Sequence, residues 1–233
     1  MKKSRLAWLT AAIVAALPAQ AHAQLTLLGQ SNASGGGLGA VATVLTLQNP
    51  GGTTAETGCV GPTGFTSCGF ADANVQSGQS QLRAVSAFPG LTGSSFRLFL
   101  NAAEPGNDNM ITVNNVVVRL YSGNTQVFSS TAFATPLNLT NVLTGTGNYG
   151  FIFGLSAGDQ ALFTTALAAN SSLMIGVGAS LTNVSGGLET FAVGTVASGG
   201  GGGTSVVPEP STYLLMASGL VAMGLLQRKR RTS

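Results

Sequence analysis

Residue types that commonly do chemistry are scarce in the central part of this chain. Residues 24–197, called the body below, contain no lysine and no tryptophan, and the one histidine, His22, precedes them. Without histidine the body cannot form a Ser-His-Asp or Cys-His site, nor a zinc or iron centre with imidazole ligands. Without lysine it cannot form a Schiff base or a P-loop phosphate site. We therefore predict that the body is not an enzyme.

Carboxylates are the remaining candidates for acid–base chemistry or metal binding. The six in the body lie singly along turn-like sequence: Glu56, Asp72, Glu104, Asp108, Asp159 and Glu189. A carboxylate-only hydrolase, kept as a remote alternative, would need two of them about 5–10 Å apart in a cleft. Residues 104–109 (EPGNDN) carry oxygen ligands, but such a stretch is more typical of a solvated turn than of a calcium loop. We predict no metal site and no cofactor.

Two cysteines, Cys59 and Cys68, end the segment CVGPTGFTSC. In an exported protein such a pair is expected to form a disulfide. Closing a ten-residue loop removes unfolded-state entropy equivalent to roughly 2.5–3 kcal/mol. Reduced thiols awaiting a partner protein are the alternative.

The charges of the chain are concentrated at its two ends. The body has three arginines (Arg83, Arg97 and Arg119) against six carboxylates, a formal net charge of −3. The basic pI of the whole chain, about 9.2, therefore belongs to the ends. A nucleic-acid-binding surface needs clustered Lys and Arg on the folded domain, so we predict no nucleic-acid partner.

The first 23 residues have the three parts of a secretory signal peptide. A basic start precedes an apolar run over residues 6–17, and the small residues Ala21 and Ala23 follow. Signal peptidase accepts small residues at these two places, so we expect cleavage before Gln24. The N-terminal segment is then a signal helix that the mature protein lacks.

The C-terminal end is equally distinctive. A Gly/Ser linker at 198–205 precedes the tail, 206–233, which opens with Pro208, Glu209 and Pro210. Residues 211–226 are apolar and uncharged, and the stop-transfer residues follow them: Arg228, Lys229, Arg230 and Arg231. Sixteen helical residues cover roughly 24 Å of a hydrocarbon core of about 30 Å. We expect a transmembrane helix that holds the chain in the inner membrane transiently.

This tail resembles the sorting signal of PEP-CTERM proteins. The resemblance is confined to the tail, where the Pro-Glu-Pro motif, the apolar helix and the basic end occur in that order. It implies recognition by exosortase, a membrane-embedded cysteine transpeptidase thought to cut near the motif. It also implies a Gram-negative host that makes extracellular polysaccharide. The mature protein is then expected in the periplasm, on the cell surface or in the extracellular matrix.

The body is predicted to be an antiparallel β-sandwich, because its apolar residues alternate with period two between Gly- and Asn-containing turns. A change of phase at Asn114–Asn115 predicts a β-bulge. The alternating faces are Val41/Thr43/Leu45/Leu47, Leu82/Ala84/Ser86/Phe88, Phe96/Leu98/Leu100, Ile111/Val113, Val116/Val118/Leu120, Tyr149/Phe151/Phe153/Leu155, Leu173/Ile175/Val177/Ala179/Leu181 and Phe191/Val193.

One helix, near 157–169, interrupts the strands. Ser156 and Asp159 resemble a capping box, and Asn170 is a suitable end. The apolar residues that repeat at three and four are expected to cover one end of the core: Leu162, Phe163, Ala166 and Leu167. Asp159 is therefore interpreted as a cap and not as a catalytic acid.

These features together predict an exported, non-enzymatic surface or extracellular-matrix protein. Its partners in processing are signal peptidase and exosortase. The alternative is a carbohydrate-binding or adhesive module that binds extracellular polysaccharide, although the mature body offers no tryptophan for a sugar platform.

Overall fold

The computed structural model describes residues 25–31, 38–49, 54–65, 68–71, 74–103, 110–140 and 150–196. The chain divides into two units, residues 1–198 and 199–233, and all described residues belong to the first. The predicted signal helix and tail helix therefore lie outside the described residues. No helix within the described ranges is long and apolar enough to cross a membrane.

Strands dominate the described part of the chain, which contains eleven of them and one α-helix. The strands are β1 (Thr26–Ser31), β2 (Leu38–Leu47), β3 (Ala55–Cys59), β4 (Arg83–Ala84), β5 (Phe96–Ala103), β6 (Met110–Ser122), β7 (Thr125–Ser129), β8 (Leu137–Thr140), β9 (Gly150–Gly154), β10 (Met174–Thr182) and β11 (Leu188–Val196). The helix α1 (Ala157–Ala169) lies between β9 and β10. The predicted all-β body with one helix at 157–169 is confirmed.

All strand pairs are antiparallel, and they form two sheets. The five-stranded sheet has the order β1-β9-β5-β11-β2. In the six-stranded sheet β3-β10-β6-β7 are neighbours in that order, β4 also pairs with β10, and β8 also pairs with β6. Buried side chains from both sheets belong to one apolar cluster, as in a β-sandwich.

Period two identifies the core-facing side chains of most central strands correctly. On β5, Phe96, Leu98 and Leu100 are each fully buried, and on β11 Phe191 and Val193 are too. The predicted face of β10 is buried from Leu173 to Leu181, and Phe151, Phe153 and Leu155 are buried around β9. Tyr149 lies outside the described residues.

The predicted bulge in β6 is present. Asn115 pairs with Ser180 and Val113 pairs with Leu181, so Asn114 is an extra residue. The bulge shifts the phase of the strand, which is why the buried residues change from odd to even positions along β6.

The predicted face of β2 is wrong in its first half. Leu45 pairs with Phe191 and Thr43 with Ala192, so β2 has an extra residue at Val44. This bulge turns Val41 outward, where it is 45% exposed, while Leu45 and Leu47 stay buried. Nothing in the sequence marks this bulge as Asn114–Asn115 marks the one in β6.

The strand predicted over 82–88 is also wrong for most of its length. Only Arg83–Ala84 form a strand, β4, and a 3₁₀ turn follows at Val85–Ala87. Phe88 is nevertheless buried, because the turn directs it into the core. A short alternating run does not distinguish a strand from a tight turn with a buried residue at its end.

Helix α1 begins as predicted and presents a narrower face to the core than predicted. The Ser156 hydroxyl accepts a hydrogen bond from the Asp159 backbone N–H at 3.4 Å. Phe163 is fully buried, with its ring 5.2 Å from the rings of Phe96 and Phe128. Leu162, predicted to face the core, is 62% exposed. Phe163 is thus the main contact of the helix with the core, Ala166 and Leu167 pack partly against it, and Leu162 faces away from it.

Candidate functional site

The two predicted cysteines form a disulfide that closes a loop over the outer face of the six-stranded sheet. β3 ends at Cys59, which joins Cys68 with a Cα–Cα distance of 6.0 Å. Both residues are buried. Within the loop, Gly61 and Gly64 exchange two backbone hydrogen bonds, at 2.8 and 3.1 Å. Gly64 has a φ of 100°, a conformation that favours glycine.

Glycines on β10 allow this loop to lie directly on the sheet. A Cβ on Gly176 would lie 2.4 Å from the carbonyl oxygen of Val60, and one on Gly178 would lie 2.5 Å from the Phe70 ring. Real Cβ atoms essentially never approach so closely, so both positions require the bare backbone. The surface formed by the loop, Phe70 and these glycines is called the disulfide face below.

Within the described ranges, Arg119 is the charged residue of the disulfide face. It lies on β6 directly opposite Gly176, and its guanidinium carbon is 5.6 Å from the centre of the Phe70 ring. This is the distance of a cation–π contact. Desolvation lowers the pKa of Arg119, and the neighbouring Tyr121 opposes that shift.

One donor of the guanidinium has no partner within the described ranges. Its Nη1 atom is buried and makes no hydrogen bond to a described residue, while Nη2 lies towards Gly69. A desolvated guanidinium is suited to bind carboxylate, sulfate or phosphate oxygens. In the sequence, Arg119 contributes only to the net charge of the body and is not predicted as a site residue. The signal that could have revealed it is a single arginine within the apolar strand VVVRLY, opposite a strand rich in glycine.

The described carboxylates are buried in regular elements, so their predicted placement in turns is wrong for these three. Glu56 in β3 and Glu189 in β11 are fully buried, and Asp159 in α1 is 3% exposed. Glu56 Oε1 accepts the backbone N–H of Asn49 at 2.6 Å. No group of three or more His, Cys, Asp or Glu in the described ranges could hold a metal ion. Asp72 and residues 104–109 lie outside those ranges.

Asp159 fastens the helix to the six-stranded sheet. Its Oδ2 accepts the backbone N–H of Thr131, two residues after β7, at 3.0 Å. Burial raises the pKa of this carboxyl, and the hydrogen bonds from Thr131 oppose the rise. Of the predicted capping box, the structure shows the half in which the Ser156 hydroxyl accepts the Asp159 N–H. The Asp159 carboxylate, predicted as a cap, instead accepts the Thr131 N–H and makes a tertiary contact.

A shallow groove of about 500 Å³ lies between α1 and β7. It has no charged lining residue, and Leu162 and Val127 on its rim are 62% and 46% exposed. The remaining lining residues are apolar or carry a hydroxyl, except for the amide of Asn170, and none of them is a histidine, a cysteine or a carboxylate.

The residues predicted to act in sorting lie outside the described ranges. They are the signal cleavage residues Ala21, Ala23 and Gln24, the motif Pro208, Glu209 and Pro210, and the basic residues Arg228, Lys229, Arg230 and Arg231. Of the predicted site residues, Cys59 and Cys68 are therefore the two that the structure describes, and it joins them in a disulfide.

Comparison with known proteins identifies the tail. A family model for the PEP-CTERM protein-sorting motif matches residues 206–231, which confirms the resemblance. No curated protein and no solved structure matches the chain. The motif implies processing by exosortase and export with sorting at the membrane.

Proposed function

We propose that this chain is a non-enzymatic surface or extracellular-matrix protein, released or attached by exosortase after export. The observation that carries the proposal is the match of residues 206–231 to the PEP-CTERM sorting motif. The body that precedes the motif has a disulfide, Cys59–Cys68, and disulfides are typical of proteins in oxidising compartments. The sorting motif and the disulfide are thus both consistent with a destination outside the cytoplasm.

The side chains of the body support a structural role. Histidine and lysine are missing from it, and the described carboxylates are buried. Glu56 and Asp159 each accept a backbone N–H from a neighbouring segment, at Asn49 and Thr131. Carboxylates used in this way hold the sandwich together and present no exposed acid–base pair to a substrate.

The sorting part is tested by replacing Pro208, Glu209 and Pro210 with alanine in the producing host. We expect an uncut form that stays in the membrane, identified by mass spectrometry of both protein termini from cells and medium. The control replaces three glycines of the linker, 200–202, with alanine and should be processed normally. Unchanged processing of the motif variant would contradict the proposal.

The non-enzymatic part is tested with the purified mature protein and the polysaccharide of the producing strain. We expect no new reducing ends and no fall in polymer size over a long incubation. Depolymerisation that is lost in a Glu56→Gln or Glu189→Gln variant, with folding retained, would instead establish the carboxylate-only hydrolase.

A second candidate, binding of acidic polysaccharide, is favoured by one specific observation. Arg119 is a partly exposed arginine on the disulfide face, and its guanidinium carbon lies 5.6 Å from the centre of the Phe70 ring. Uronate, sulfate and phosphate groups carry oxygens that can pair with the accessible part of such a guanidinium.

Retention on the polysaccharide of the producing strain tests this candidate. Arg119→Gln should reduce retention at low salt at least several-fold. Arg97→Gln is the matched control, since Arg97 already donates to the carbonyl oxygens of Ser94 and Phe96 at 2.8 and 2.7 Å. Equal retention of both variants, or no retention of the parent protein, would exclude Arg119 as the binding residue.

A further inference from the structure

Helix α1 has an exposed side without a charged residue. Its one ionisable residue, Asp159, is 3% exposed, and its carboxylate accepts the Thr131 N–H. The exposed positions of the helix are filled by small, apolar or hydroxyl-bearing residues, among them Ala161, Leu162, Thr164, Thr165, Ala168 and Ala169. A helix on a protein surface ordinarily has charged residues on the side that faces water. An uncharged outer side is instead typical of a helix that contacts a second surface.

The groove between α1 and β7 continues this uncharged surface. Leu162 from the helix and Val127 from β7 line it and are 62% and 46% exposed. The sequence has no charged residue over 120–158, a range that includes all of β7. The three carboxylates in the described ranges are buried, so none of them is presented to a surface brought against the helix. The exposed side of α1 and this groove are together called the helix face below.

The chain leaves the sandwich beside the helix face. β11 ends at Val196, and Thr195, the residue before it, pairs with Phe96 at the start of β5. The Phe96 ring lies 5.2 Å from the ring of Phe163, which follows Leu162 in α1. The last described residues of the body are therefore at the end of the sandwich that α1 covers.

The length of chain after this exit identifies a partner for the helix face. Residues 197–210, a glycine-rich stretch, connect Val196 to the predicted transmembrane segment, 211–226. Such a flexible chain has a root-mean-square length of about 20 Å. A short tether of this kind gives an effective concentration in the millimolar range, so even a weak apolar contact becomes populated. The apolar partner that this tether brings close is the lipid bilayer.

We propose that the helix face rests on the bilayer surface while the tail anchors the chain, with Leu162 and Val127 placed among the lipid headgroups. The contact ends when the tail is cut, because two exposed apolar side chains do not hold a body of this size on a membrane without a second attachment. This inference rests on the membrane anchoring that belongs to the proposed function.

A single introduced tryptophan tests the contact, because the chain from residue 24 onwards contains none. The full chain 24–233 carrying Leu162→Trp is reconstituted into phosphatidylcholine–phosphatidylglycerol vesicles without exosortase, so that its tail stays uncut. The matched control is Met110→Trp, since Met110 is 39% exposed at the far end of β6 from Ser122, a residue of the groove. We expect a shift of the Leu162→Trp emission to shorter wavelength, and quenching by brominated lipids at least about two-fold stronger than in the control.

A longer tether should weaken the contact. Thirty Gly/Ser residues inserted in the linker 198–205 lower the effective concentration about five-fold, and quenching of Leu162→Trp should fall with it. Equal quenching of the two tryptophans in chains that float with the vesicles would overturn the inference and leave the anchoring intact. A spectral shift without quenching would identify a protein surface, such as a second copy, and would also overturn it. Chains that do not float with the vesicles would overturn the anchoring itself and the inference with it.

Discussion

The edge strands of the two sheets differ in how they are held to the rest of the body. The six-stranded sheet is fastened at β3, where the disulfide begins and where Asn74 donates its backbone N–H to Thr57. Near β7 it is fastened again, by the hydrogen bond from Thr131 to Asp159 of α1. In the five-stranded sheet, β2 is covered by the segment 76–81, but no backbone in the described ranges pairs with the outer edge of β1. The difference separates a locked region from a less tightly held one, where the Gln30 Nε2 atom donates to the Thr140 carbonyl oxygen at 3.0 Å.

The largest effect should come from removing the covalent fastening. The double variant Cys59→Ser/Cys68→Ser should lose roughly 2.5–3 kcal/mol of unfolding free energy, because the ten-residue loop is no longer closed in the unfolded chain. Urea denaturation measures this loss, and the parent protein in excess reductant is the control. A loss below about 0.5 kcal/mol would mean that the disulfide does not lock this region.

A smaller loss is expected when the loop is pushed off the sheet. Gly176→Ala places a Cβ 2.4 Å from the Val60 carbonyl oxygen, so the loop must move, at a cost of about 1–3 kcal/mol. Gly78→Ala is the matched control: its Cβ would have no atom within 4 Å, and it should be neutral or slightly stabilising. Thermal unfolding of the two variants compares them, and similar midpoints would contradict close packing at Gly176.

The fastening by Asp159 should depend on pH. Asp159→Ala leaves the Thr131 N–H without its acceptor and should cost about 1–2 kcal/mol, whereas Asp159→Asn keeps an acceptor oxygen. Since burial raises the pKa of Asp159, the folded protein holds this proton more tightly than the unfolded chain. Ionisation therefore lowers stability as the pH rises from the ordinary aspartate pKa through the raised one.

The parent protein should consequently lose stability relative to Asp159→Asn over that rise, and the difference should be constant above it. Denaturant titrations of both proteins across the acidic range measure the difference. A difference that changes in the opposite direction would mean that the hydrogen bonds from Thr131 outweigh the burial of the carboxylate.

The smallest effect is expected at β1. Leu28→Ser should change the unfolding free energy by less than about 1 kcal/mol, because this side chain is 44% exposed and lies over Gly154, which has no side chain to pack against it. Hydrogen exchange should report the same contrast, with β1 amides exchanging well before those of β10. Equal hydrogen-exchange protection of β1 and β10 would contradict the distinction between the locked and the less tightly held region.

The parts of the fold that depend on local pattern could be predicted from the chain. Phe96, Leu98 and Leu100 alternate in the sequence and are buried together, and the phase change at Asn114–Asn115 gives the bulge in β6. Ser156 and Asp159 give the start of α1 for the same reason: the cap and the helix are within one turn of each other.

The disulfide and the sorting tail were also accessible to sequence analysis. Cys59 and Cys68 had no competing cysteine, and the tail matches its family through residues 206–231 alone. Neither prediction required knowledge of how distant strands pair.

What the sequence did not reveal depends on contacts between distant segments. The bulge at Val44, the exposure of Leu162 and the enclosure of Arg119 between β10 and Phe70 each follow from which elements become neighbours. The same is true of the buried carboxylates, whose acceptor roles exist only because Asn49 and Thr131 come close. Periodicity specifies which side chains share a face, and cap and signal motifs act over a few residues. Strand order and the identity of the edge strands arise from long-range pairing, so only the folded molecule places β1 and β2 at opposite edges of one sheet.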